Sequence, residues 1–196
     1  ERARDTIAGW IEREARGGRV YACEKQSLGG FPFRIEFRCA GASAELAKSQ
    51  PPVRMSASGI LAAVQVYQPT LVMAEIDSPL DIADPGLPPK MNAHWSLARV
   101  SLRGTPRNPQ RVSLAADKLT LSRNGTNGQP ERLFGAGHAE LHGRLASGSV
   151  TDNPVIDVAA SAQGATAPTL HPLTAQPFDL DLDTQLVGLR NFQPKS

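Results

Sequence analysis

From Gly18 onward the chain alternates apolar and polar residues with a period of two, the spacing of strands with one buried and one solvated face. The clearest stretch is Phe33-Arg34-Ile35-Glu36-Phe37-Arg38-Cys39, where Phe33, Ile35, Phe37 and Cys39 share a face. Followed along the chain, the pattern predicts strands over 19–26, 33–46, 53–67, 70–76, 90–103, 111–122, 131–145, 155–162 and 178–189. Only the N-terminal stretch differs. Ile7, Trp10, Ile11 and Ala15 fall at helical spacing, and Gly17-Gly18 ends the pattern, so one amphipathic helix is expected over about 3–17.

The links between these segments are turn-rich. Gly29-Gly30-Phe31-Pro32 and Gln68-Pro69 read as hairpin turns, and Asn124-Gly125 and Asn127-Gly128 supply positive-φ positions. The segment 77–89 holds Pro79, Pro85, Pro88 and Pro89, which cannot donate to a ladder, and is expected as a loop. Short links pair sequential strands, and no strand-helix-strand unit appears. The expected fold is mainly β: a long antiparallel meander, with one N-terminal helix, in a single domain over 1–196.

Several strands change which parity is apolar part-way along. Val53, Met55 and Ala57 give way after Gly59 to Ile60, Ala62, Val64 and Val66, and Met91, Ala93, Trp95 and Leu97 give way to Val100 and Leu102. Val112, Leu114 and Ala116 yield to Leu119 and Leu121, and Phe178, Leu180 and Leu182 to Val187 and Leu189. A one-residue slip in a two-residue period requires either a bulge or a loop between two shorter strands. If they are bulges, which bend strands and raise their twist, the sheet is strongly curved, a β-groove or open barrel with an apolar concave face.

The two cysteines, Cys23 and Cys39, are placed to pair. If the first hairpin folds symmetrically about Phe31, Cys23 falls directly opposite Cys39, at a Cα separation that a disulfide spans. A disulfide puts the protein in an oxidising compartment; the alternative is two buried free thiols in a cytosolic protein. The chain starts at Glu1 without Met or an apolar leader, as expected of a piece of a longer, membrane-anchored protein. The uncharged run from Met55 to Ala74 is interrupted by Ser56, Ser58, Gln65, Gln68 and Pro69, and so reads as two strands rather than a membrane span.

Charge narrows the partners. The net charge of +2 over 196 residues comes from scattered arginines, whereas a nucleic-acid surface needs clustered cations, so no nucleic-acid partner is expected. Two same-face sets have the residue types of a metal site: His138, Glu140 and His142, and Asp179, Asp181 and Asp183. Asp77, Asp81 and Asp84 are a weaker third. Same-face neighbours on a strand project in parallel rather than converge, and ordinary alternation accounts for them, so no metal and no cofactor is expected. No G-x-S-x-G elbow, phosphate-binding glycine loop or CxxC pair is present, and no enzyme is expected.

The run Gly30-Phe31-Pro32-Phe33-Arg34, with the Trp10 helix and the Gly17-Gly18-Arg19-Val20 entry to the first strand, resembles the family known as domain of unknown function 2125, uncharacterised alphaproteobacterial envelope proteins. The run is also similar to motifs in the AsmA-like group, whose curved sheets form lipid-carrying grooves. The resemblance implies a protein on the periplasmic side of the bacterial inner membrane, joined to it by an N-terminal segment, with no catalytic residue. A groove lined by Phe33, Ile35, Phe37, Ile60, Val64, Trp95 and Leu97 would accept acyl chains, making lipid the expected ligand. The alternative is a structural or interaction module that binds other envelope proteins through its sheet edges or loops.

Overall fold

The computed structural model describes residue 9 and residues 11–105, 108–125, 128–146, 149 and 154–187. Residues 11–16 form helix α1. It ends where the Gly18 N–H donates to the Ala15 carbonyl at 2.9 Å, with Gly18 at φ +84°, a left-handed C-cap that suits glycine. Ile7 and Trp10 lie outside the described residues. Ala15 is exposed, so of the expected apolar stripe only Ile11 is seen to be partly buried.

Eleven strands form one antiparallel sheet: β1 (Arg19–Gly29), β2 (Arg34–Leu46), β3 (Val53–Gln65), β4 (Gln68–Ile76), β5 (Leu80–Ala83), β6 (Met91–His94), β7 (Leu97–Thr105), β8 (Asn108–Asn124), β9 (Pro130–Leu145), β10 (Ile156–Ala165) and β11 (Phe178–Leu186). Strands β4 and β5 both pair with β3, and β6 and β7 both pair with β8. Each couple is therefore one long strand broken once, at 77–79 and at 95–96, and β4–β7 and β5–β6 pairing closes a partial ring around the breaks. The expected meander is present.

The ladder is interrupted at the same level across the sheet. Glu24 and Gly41 are skipped between the pairs Cys23–Ala42 and Lys25–Ala40, and Gly41 and Ser58 between Ala42–Ala57 and Ala40–Gly59. Lys118 and Gly137 are skipped between Asp117–His138 and Leu119–Ala136. The β4–β5 and β6–β7 breaks continue this line, and so does the register shift between Ala162 and Ala165. Gly41 (φ +66°), Lys118 (φ +53°) and Gly164 (φ +59°) are left-handed along it. The parity flips thus fall on an aligned line of strand breaks and of positions left unpaired on both strands, which creases the whole sheet.

The crease keeps the apolar side chains on one face. Cys23, beyond it, is disulfide-bonded to Cys39, before it, and Phe134 and Ala139, from opposite sides of it, both pack against the cluster of Ala136, Ala162 and Ala165. Among the described residues the buried apolar side chains are Cys39 and alanines, and all except Ala83 and Ala167 flank the crease. The bend therefore closes toward the apolar face, and only alanine-sized groups fit its angle.

Several expectations need correction. The first hairpin is centred between Pro32 and Phe33 rather than on Phe31, so Cys23 opposes Ala42 and Cys39 opposes Gln26. Their Cα atoms are nevertheless 5.6 Å apart, because pairing is interrupted between them at Glu24 and Gly41. Phe33 belongs to the turn, not to β2, and the second turn is at 66–67, with Gln68-Pro69 opening β4. The proline-rich segment contains β5: Pro79, without an N–H, sits in the break, and Leu80 to Ala83 resume the ladder. Register is unbroken from Leu180 to Leu186, and Leu189, on which the parity change expected after Leu182 rests, lies outside the described residues.

Candidate functional site

Register assigns each side chain to a face, because directly opposed residues point the same way. One cross-strand row runs Phe37, Ala62, Ala74, Val100, Leu114, Leu141, apolar at every step. The neighbouring row on the other face holds Arg38, Leu61, Glu75, Arg99, Ala115 and Glu140. Among the described residues extensive contact runs only between strands paired in the sheet, so no second layer covers the apolar face. Ile35, Val112, Leu141 and Leu182 on it remain exposed.

Of the expected groove residues, Ile35 and Val64 are directly paired, and Phe37 and Ile60 lie in adjacent rows of the same face. Trp95 stands in the β6–β7 break, where its indole N–H donates to the Ile76 carbonyl at 2.8 Å. Leu97 pairs with Asp117, which pairs with His138, and so lies on the polar face, because the parity change falls at 95–96 rather than after Leu97. Phe33 is 77% exposed at the hairpin tip beside Phe31 at 87%, so neither closes the end of the core. Gly30 has φ +83°, which lets the chain enter that turn, and Arg34 opens β2 behind it.

The polar face carries two features that sequence alone does not assemble. Glu36, the one buried charged residue described, is held between Arg34 and Arg38, the latter at 3.0 Å. A chain of hydrogen bonds joins β8 to β9. His138 Nδ1 lies 2.6 Å from Asp117 Oδ1 and its Nε2 3.0 Å from Glu140 Oε1. Glu140 Oε2 lies 3.0 Å from His142 Nε2, and His142 Nδ1 2.9 Å from the Ser113 hydroxyl. The carboxylates of Glu140, chiefly, and Asp117 raise the His138 pKa above its usual value, and the two imidazoles lower that of Glu140. Asp117 and Ser113 join through cross-strand register, which the spacing of His138, Glu140 and His142 does not reveal.

Chemically this line can hold and pass a proton. Ser113, His142 and Glu140 follow the order of a nucleophile relay, yet Ser113 sits between two neighbouring strands whose ladder engages the local backbone N–H groups, so no pair of them converges on its hydroxyl. Among the described residues no group of three or more His, Cys, Asp or Glu side chains is arranged to hold a metal ion. An open depression of about 650 Å³ lies beside the relay, lined by Arg111, His142, Arg144, Asp157, Asp183 and Gln185.

No described helix is long and apolar enough to cross a membrane. The Cys23–Cys39 disulfide is the chemistry of an oxidising, extracytoplasmic compartment. Neither a curated protein nor a solved structure matches the chain. The family described as an uncharacterized protein conserved in bacteria (DUF2125) matches residues 1–196, without carrying a likeness to the AsmA group. The chain therefore belongs to the DUF2125 family, as a creased antiparallel sheet with one apolar face and one disulfide.

Proposed function

We propose that this is a membrane-associated protein on the periplasmic side of the inner membrane, and that its apolar sheet face binds the acyl chains of lipid. The observation that carries the reading is the uncovered apolar face, which spans the sheet from β2 to β11 without a second layer on it among the described residues. Soluble proteins rarely leave so large an apolar patch to water unless it meets a ligand, a membrane or a partner. Acyl methylenes laid along Val100, Leu114 and Leu141 would each contribute about 0.8 kcal/mol, so about ten of them correspond to micromolar binding.

Delipidated protein is expected to take up a fluorescent fatty acid or phospholipid saturably, and Leu114→Asp on the face is expected to abolish uptake. Absence of saturable uptake by the wild type refutes the reading. A specific observation supports a second one: β1 and β11 end the strand order, each with one edge unpaired among the described residues. A bare edge can add a strand from another envelope protein. Co-purification of a protein whose binding is lost when Ala22→Pro blocks the β1 edge, with no lipid uptake, would favour this alternative.

A further inference from the structure

The end of the sheet where β1 turns into β2 and β3 into β4 gathers exposed aromatic side chains on adjacent turns. Phe31 is 87% exposed, Phe33 77%, Tyr67 76% and Val66 53%. The two turns are one platform, because the Val66 N–H donates to the Phe33 carbonyl at 3.0 Å. Aromatic and branched side chains at the tips of a sheet gain nothing from water, and among the described residues these stay exposed. An aromatic ring of this size is at home where hydrocarbon meets headgroups.

Charge identifies the partner. In the last cross-strand row of the polar face before the turns, Arg103, Arg111 and Arg144 stand in direct register, and Arg34 opens β2 at the same end. Directly opposed like charges repel across a strand pair, so the ladder itself does not favour this arrangement. Asp157 follows Arg144 in the row and pairs with it at 3.0 Å. Arg34 shares Glu36 with Arg38, and Arg103 and Arg111 make no ion pair among the described residues. The end therefore presents guanidinium groups that have no ion-pair partner among the described residues, good ligands for phosphate oxygens, beside projecting aromatics.

We infer that this end of the sheet docks on an anionic phospholipid bilayer, with Phe31, Phe33, Val66 and Tyr67 in the headgroup–acyl boundary and Arg103 and Arg111 on the phosphates. A nucleic acid could stack bases on the aromatic tips, but the branched Val66 among them, 53% exposed, favours hydrocarbon, and binding to single-stranded nucleic acid with none to anionic vesicles would overturn the inference. Docking stands independently of lipid uptake by the apolar face. It also places the last row of that face, Ile35, Val64, Val72, Leu102 and Val112, next to the membrane.

The test is flotation of the full chain with phosphatidylcholine vesicles that contain or lack phosphatidylglycerol. Wild type is expected to float with the anionic vesicles and to be released by salt. A charge this close to an anionic surface is worth about five-fold in affinity, so Arg103→Gln with Arg111→Gln should weaken binding by roughly twenty-five-fold. Phe31→Ser, Phe33→Ser and Tyr67→Ser together should abolish flotation with the circular dichroism spectrum and melting temperature unchanged, since all three side chains are exposed. In Phe33→Trp, brominated lipid should quench the added fluorescence; this readout decides if the triple variant melts early. Failure of wild type to float with anionic vesicles, full binding by a folded triple variant, or no quenching at position 33 overturns the inference. Binding lost on Leu114→Asp but kept by the tip variants overturns it too, while leaving lipid uptake by the apolar face intact.

Discussion

The crease makes a sharp prediction at Gly41. That residue has φ +66° in the middle of β2, where the skipped pairs on both sides place it on the fold line. A Cβ added there would stand 2.5 Å from Glu24 Cδ and 2.6 Å from its Cγ. These belong to an exposed side chain that can swing into solvent, so the steric part of the cost is small. The backbone part remains. A left-handed conformation costs an L-residue roughly 1–2 kcal/mol, and the stiffer unfolded chain of alanine offsets part of that, so Gly41→Ala should lose about 1 kcal/mol net. For a chain of this length the melting temperature should fall by about 2–4 °C. Gly29→Ala is the control, because its Cβ meets nothing within 4 Å and its φ is not left-handed. Guanidinium unfolding of the two variants, with similar slopes, measures the difference. Equal stability of Gly41→Ala and Gly29→Ala would mean that β2 is not left-handed at the fold line, and the crease as described would be wrong.

Other consequences follow from the same geometry. Reduction, or Cys23→Ser, should cost about 3 kcal/mol of unfolding free energy, since the bridge closes a sequence separation of 16 residues; free thiols in native protein would refute the bridge. Lys118→Gly relieves a left-handed lysine and is expected to leave stability unchanged or raise it by up to about 1 kcal/mol, whereas Lys118→Val should lower it. The folded-state pKa of His138 is raised above 6.5, so its stabilisation is complete below that value and is lost as pH rises through the folded pKa. That of Glu140 is lowered from 4.5, so its contribution is present above 4.5 and lost as pH falls through the folded value. The melting temperature should therefore be highest between pH 4.5 and 6.5 as far as this pair decides it, and Glu140→Gln should bring the His138 imidazole resonances to a lower titration midpoint. Lipid at a hundredfold its dissociation constant should raise stability by about 2.7 kcal/mol; an unchanged melt on loading would count against binding to the folded face.

Local alternation was enough to locate most strands and the meander, because each strand has one apolar and one polar face and the links are short. It was enough to show that the faces change parity, but not where. Leu97 follows Trp95 at the same spacing as Trp95 follows Ala93, and only the ladder shows that the shift has already occurred at 95–96. The strand Leu80–Ala83 was hidden by the prolines around it, since Pro79 breaks a ladder without ending the strand direction. Cross-strand partners were out of reach: nothing in the spacing of His138, Glu140 and His142 announces Asp117 or Ser113, which arrive from the neighbouring strand. The tip residues were visible as a motif, but their exposure depended on where the turn was centred, and a shift of the hairpin centre moved Phe33 out of the strand.

The position of the disulfide follows from the crease. Strands of this length could have kept strict alternation, but after a parity slip an unbent sheet would carry half of its apolar residues on each face. Left-handed residues at the fold line return them to one face, and the alanines beside it let the two halves approach. In the interior, each creased strand is held on both sides by neighbours that bend with it. Among the described residues strand β1 has a neighbour on one side only, and its ladder to β2 is interrupted at Glu24 and Gly41, where a two-stranded edge is weakest. Cys23 and Cys39 bridge that interruption, one from each side of the fold line. The covalent link there does for the edge what a second flanking strand does elsewhere, which is why a chain with only two cysteines has them at this crossing.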